Sequence, residues 1–174
     1  LVLGKRSQVS YLSQDGSRYW GTADLSRPET EAAQSINRMA QWQFDNQYQA
    51  EYARTFGASV ADSTLLTKAL LAAANPTADF GSGDLAENLR ALAKVLPVFK
   101  SQGYRRQVFL VHYGSFDTHA GQLGSGTTSQ DTQLGAVGKA VAGFDQSLVA
   151  AGLGDDVITL MMSDFGRTLR PGSG

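Results

Sequence analysis

The sequence predicts an α/β protein, a parallel-stranded sheet flanked by helices, and three observations carry that prediction. Two short apolar runs rich in β-forming residues, Val108-Phe109-Leu110-Val111 and Val157-Ile158-Thr159-Leu160-Met161-Met162, suit strands covered on both faces. Between them Leu134, Val137, Val141, Phe144 and Leu148 recur at helical spacing. Ahead of both runs the chain is rich in helical patterns. Strand, helix and strand in that order make a βαβ unit, with parallel strands and a right-handed crossover.

The elements follow in order. Residues 1–28 mix aromatic, serine and glycine residues without a sustained period and read as irregular structure, with a short strand near Val9 to Leu12. Residues 29–103 read as helical. Pro28 with Glu29, Thr30 and Glu31 forms a helix start, because proline fits the first turn and carboxylates favour the positive end of the dipole. That helix is predicted to run to about Phe56 and to end at Gly57, its aromatic face serving as packing surface. A shorter helix follows from Ser63, built on Leu65, Leu66, Leu70 and Leu71 and stopped by Asn75-Pro76. Asp84 can cap the next, where Leu85, Leu89, Leu92, Leu96 and Phe99 form one buried stripe before Gly103. Residues 104–174 are the strand-helix-strand unit, its helix closing at Gly152 or Gly154.

A chain of 174 residues, 42% hydrophobic, reads as one domain able to bury roughly 70% of the surface its unfolded form exposes. Its 15 basic and 16 acidic residues leave a net charge of −1, so no basic field exists for nucleic acid or an anionic membrane. No apolar run is long enough to span a bilayer. The absence of cysteine excludes disulfides, thiolate metal sites and a cysteine nucleophile. The chain starts at Leu1 without a leader and stops on Pro171-Gly172-Ser173-Gly174 just after a strand-like run, so it is read as an incomplete domain cut at both ends.

Ligands of parallel sheets bind beyond the carboxyl ends of the strands, where loops converge. The first run opens into His112-Tyr113-Gly114-Ser115-Phe116-Asp117-Thr118-His119, which sets a carboxylate and an imidazole two residues apart. In extended chain such residues share a face. Oxygen and nitrogen together suit divalent zinc or manganese better than calcium or magnesium. The second run ends in Ser163-Asp164-Phe165-Gly166-Arg167-Thr168, which brings another carboxylate and a guanidinium able to hold an anion. Plainer roles stand beside these: Asp117 and Asp164 as turn or helix caps, Arg167 as partner to a carboxylate, His112 as a packed strand residue. No G-x-S-x-G elbow surrounds Ser115, Thr118 or Ser163, and neither a P-loop nor a G-x-G-x-x-G follows a strand.

Residues 105–168 resemble the bacterial domain-of-unknown-function 1501 family. Its pattern there is a strand into Gly-Gly-Phe-Asp-Thr-His with a following Gln, a helix, and a strand into Ser-Glu-Phe-Gly-Arg-Thr. Gly114, Phe116, Asp117, Thr118, His119, Gln122, Ser163, Phe165, Gly166, Arg167 and Thr168 match it. Ser115 replaces the second glycine, and Asp164 replaces the glutamate with a carboxylate one methylene shorter. The resemblance covers somewhat over a third of the chain with specific motifs.

The resemblance implies an alkaline-phosphatase-like fold and an exported, periplasmic or extracellular protein of metal-dependent hydrolytic ancestry shared with phosphatases and sulfatases. Under it Asp117 and His119 bind a divalent metal, Asp164 and Arg167 are the catalytic pair, and the substrate is a small anionic ester. The family's export leader, upstream Gly-Gly-x-Asp and downstream Asp-His-Gly do not occur in this sequence, so the isolated chain is expected to turn over little or nothing. Two further function classes stand beside the hydrolase: a non-catalytic exported binding or envelope protein that keeps the fold, and a purely structural role for the motif residues. Oligomeric state is not encoded in any pattern recognised here.

Overall fold

Helix α1 (Glu31–Met39) starts where a cap is available: Thr30 is extended, and its hydroxyl accepts from the Ala33 N–H at 3.3 Å. Glu31 in its first turn and Arg38 in its last complement the dipole. The structure, a computed structural model, describes residues 19–20, 23–124 and 126–166. The chain divides into two units, Leu1–Ala73 and Ala74–Gly174.

In the first unit, β1 (Tyr19–Trp20) pairs antiparallel with β2 (Ala23–Asp24), Tyr19 opposite Asp24 and Trp20 opposite Ala23. The strand predicted near Val9 to Leu12 lies outside the described residues. Helix α2 (Gln47–Ala72) follows a break after Met39, and Asn46 begins it by accepting from the Tyr48 and Gln49 N–H groups. The predicted division at Gly57 is therefore shifted: the helix runs through Gly57 and the break falls at 40–46. Gly57 stays helical because α2 passes close to the end of α1, where a β-carbon would come 2.8 Å from the Ala40 carbonyl oxygen. Ala53, Val60, Leu66, Ala69 and Leu70 are buried, whereas Tyr48 and Tyr52, predicted as packing surface, are exposed.

The second unit is built on α3 (Asp84–Ser101) packed against α4 (Gln130–Ala150). Asp84 is not the cap of α3; Gly83 takes that position at φ 94, and Asp84 sits in the first turn. Leu85, Leu89, Leu92 and Phe99 of the predicted stripe are buried, with Val95 in place of the half-buried Leu96. Gly103, at φ 87, turns the chain out of α3 while the Tyr104 N–H donates to the Phe99 carbonyl. Phe80, Val95, Phe99, Phe144, Leu148 and Leu153 form the core, each such side chain contributing about 1.5–3 kcal/mol by leaving water. Gly152, at φ 67, ends α4, as the sequence predicts.

The parallel sheet does not form, and the alkaline-phosphatase-like fold expected from the resemblance is overturned with it. Residues 104–118 and 157–163 carry no regular secondary structure and no ladder, and among the described residues the β1-β2 hairpin is the one sheet. Val108 is 98% exposed and Ile158 95%, the opposite of strands covered on both faces. The physical reason is that β-forming composition measures fit to a pleated neighbour. The helix between the two runs folds as expected, but it packs on α3 rather than on a sheet.

Candidate functional site

The motif loop is anchored from inside and presents its ionisable groups outward. After residue 111 the chain reaches Ser115, which at φ 80 occupies the left-handed region that a non-glycine residue rarely adopts. The family pattern has glycine at this position, where such a backbone carries no side-chain penalty. The Thr118 N–H then donates to the Phe116 carbonyl at 2.8 Å, and the Tyr113 and Phe116 rings meet edge to face with centroids 5.7 Å apart.

Exposure alternates through the motif: Asp117 and His119 stand in solvent while Thr118 between them is buried. The Thr118 to Phe116 turn bond is centred on Asp117 and leaves both ionisable side chains in solvent. His119 Nε2 lies 3.4 Å from Asp117 Oδ2. The sequence-predicted pair is therefore brought together, as a carboxylate and an imidazole close enough to share one cation.

The loop's return path is held by the start of α4. Ser129 is almost fully buried; its hydroxyl donates to the Gly124 carbonyl at 2.7 Å and accepts from the Thr132 N–H as the helix cap. Gln122, which matches the family pattern, is buried and donates from Nε2 to Gln130 Oε1, while the Gln130 N–H donates to the Gln122 carbonyl. Gln133, also buried, donates from Nε2 to the carbonyls of both Ser115 and Thr128. Sequence reasoning missed Ser129 and Gln133, because a helical stripe is sought among apolar residues. The signal was a serine preceding the helix, the ordinary cap residue.

Residues 163–166 of the second predicted cluster are exposed. Ser163 Oγ donates to the Phe165 carbonyl at 2.6 Å, closing a short turn around Asp164. Among the described residues no three or more His, Cys, Asp or Glu side chains converge as a metal-holding group, so Asp164 does not join Asp117 and His119. Arg167 lies outside the described residues. His112, expected as a packed strand residue, is exposed.

A mainly helical protein with a helix-anchored Asp/His motif loop is the class these features define. The chain belongs to the family described as protein of unknown function (DUF1501), whose model matches residues 5–173. The match extends the resemblance from the motif region to nearly the whole chain. No curated protein and no solved structure matches it. Among the described residues no helix is long and apolar enough to cross a membrane.

Proposed function

We propose that this protein is an exported metal-dependent hydrolase of small phosphate or sulfate esters. The observation that carries the reading is the 3.4 Å approach of His119 Nε2 to Asp117 Oδ2 on an outward-facing loop. The donor set fits a borderline divalent cation such as zinc or manganese, which accepts imidazole nitrogen and carboxylate oxygen together. When bound, such an ion polarises the ester and activates a nucleophile at neutral pH. Asp117 and His119 would hold it, and the planar guanidinium of Arg167 would bind the anionic group of the ester; Asp164, which does not join the Asp117 and His119 pair, would act as a base rather than as a third ligand. Export and the hydrolytic reading both rest on the motif resemblance, and the Asp117 and His119 pair supports the metal part of it.

A second reading, a non-catalytic exported binding or envelope protein, is favoured by the fact that only two ligands converge among the described residues. Elemental analysis separates these readings from a structural role. The wild-type protein is compared with an Asp117→Ala, His119→Ala double variant purified identically without chelator. Near-stoichiometric zinc or manganese in the wild type, lost in the variant, supports the metal site, and turnover of phosphate or sulfate monoesters then decides between hydrolase and binding protein. If neither protein holds metal after loading, both metal readings fall.

A further inference from the structure

We propose that Gln133 is the positioning residue of the Asp117/His119 loop, acting through the Ser115 carbonyl. Gln133 sits in the first turns of α4 and is 2% exposed, while the neighbouring Leu134 is 59% exposed. The helix therefore turns an amide inward and a leucine outward, which simple burial of apolar surface would not select. What the amide gains there is specific. Its Nε2 donates to the Ser115 carbonyl at 3.0 Å and to the Thr128 carbonyl at 2.7 Å, and a carboxamide nitrogen carries two N–H groups, so both are used. One nitrogen thus closes the loop between residues 115 and 128.

The position of the first bond gives the clamp its consequence. Ser115 is the residue at φ 80, and the orientation of its carbonyl fixes the peptide plane that leads into Phe116 and Asp117. From that plane the chain turns through the Thr118 to Phe116 hydrogen bond and places Thr118 inward, with Asp117 and His119 outward. The other polar atom of the clamp, Gln133 Oε1, is buried with no hydrogen-bond partner among the described residues. The side chain is thus held for its donors. Its influence on metal binding rests on the ligand reading of Asp117 and His119; its hold on the loop does not.

The test uses the full chain in wild-type form and as Gln133→Met, Gln133→Glu and Ser147→Ala. Methionine keeps length and removes both donors, glutamate keeps shape and leaves at most the single O–H donor of a protonated carboxyl, and Ser147 is a buried polar residue of the same helix whose hydroxyl donates to the Gly143 carbonyl. Amide hydrogen exchange of residues 115–119 is read by NMR, and Zn2+ affinity by calorimetry. Expected for both Gln133 variants is at least tenfold faster loop exchange and at least tenfold weaker Zn2+ binding with helical circular dichroism retained, and neither change for Ser147→Ala. Loop exchange equal to wild type in Gln133→Met, or equally accelerated in Ser147→Ala, overturns the proposal. Should the Gln133 variants not fold, the wild type decides alone: its Gln133 side-chain N–H protons exchange slowly, and exchange as fast as that of the exposed Gln102 overturns the clamp. A wild type that binds no Zn2+ removes the metal reading, and loop exchange then still decides the role of Gln133.

Discussion

Gly143 of α4 meets the backbone of Asp79 with no room for a side chain between them. A β-carbon on Gly143 would lie 2.7 Å from the Asp79 carbonyl oxygen and 2.9 Å from the Phe80 α-carbon. Both are backbone atoms, so neither can swing aside, and the helix would have to move off the segment that carries the fully buried Phe80. Gly143→Ala is expected to destabilise the protein by about 1–3 kcal/mol, as overpacking does. Gly138 on the same helix has open space around it, and Gly138→Ala is expected to stabilise by about 0.5–1 kcal/mol through helix propensity. Urea unfolding midpoints of the two variants, moving in opposite directions, check the pair; midpoints moving together would refute the close approach.

Phe99 joins the end of α3 to the segment that leaves it. Its ring lies 5.5 Å from that of Tyr104, edge to face, and stacks on Phe109 at 6.4 Å, while Phe99 itself is buried. Phe99→Ala is expected to cost about 3–5 kcal/mol, the usual range for emptying a buried aromatic site. Tyr104→Ala, at a half-exposed ring, should cost far less. Thermal unfolding of both variants tests this order, and equal losses would place the stabilising contacts elsewhere.

Asp79 gives the second unit a pH dependence of known sign. The Gly81 N–H, first, and Lys139, second, hold its carboxyl below the ordinary aspartate range, with Lys139 Nζ 2.9 Å from Oδ2. A carboxyl whose folded pKa is depressed contributes stability above its unfolded pKa of about 4 and loses it as pH falls through the lower folded value. Asp79→Asn is accordingly expected to be less stable than wild type at pH 7, with the difference closing below about pH 4. Because the group is solvent-exposed the effect is small, and 0.5 M salt should shrink the part due to Lys139. A difference that grows on acidification would contradict the assignment.

What the sequence made legible divides along physical lines. Helix α3 was readable because Leu85, Leu89 and Leu92 keep one period and Gly103 supplies the left-handed exit that ends it. Helix α4 was readable as a helix but not in its facing, since Leu134 looks like core by hydropathy and Gln133 does not. The amide turns inward to donate to the carbonyls of nearby Thr128 and of Ser115, and the Ser115 carbonyl, on the motif loop ahead of the helix, is invisible to a helical pattern. The break between α1 and α2 was obscured because Gly57 looks like a terminator, whereas its missing side chain makes room for the Ala40 carbonyl and the helix starts at the Asn46 cap. The sheet failed because apolar β-rich runs state a preference that a pairing partner must complete. The nearness of Asp117 and His119 was legible from their two-residue spacing, while a role for them came only with the family resemblance. Asp164 was grouped with them by assuming adjacent strands, and it separated when those strands did not pair.

The segment leaving α3 carries Arg105 and Arg106, both exposed and outside any helix or strand. Proteases that cleave after basic residues act on exposed segments outside helices and strands, so this stretch is an expected nicking point. Cutting it would remove a tether while leaving the α3 and α4 faces in contact, and the loss would be chiefly the entropy of loop closure, which grows slowly with loop length. The second unit can thus be regarded as two stretches, one carrying α3 and one carrying α4, that side-chain packing holds together beside the peptide link.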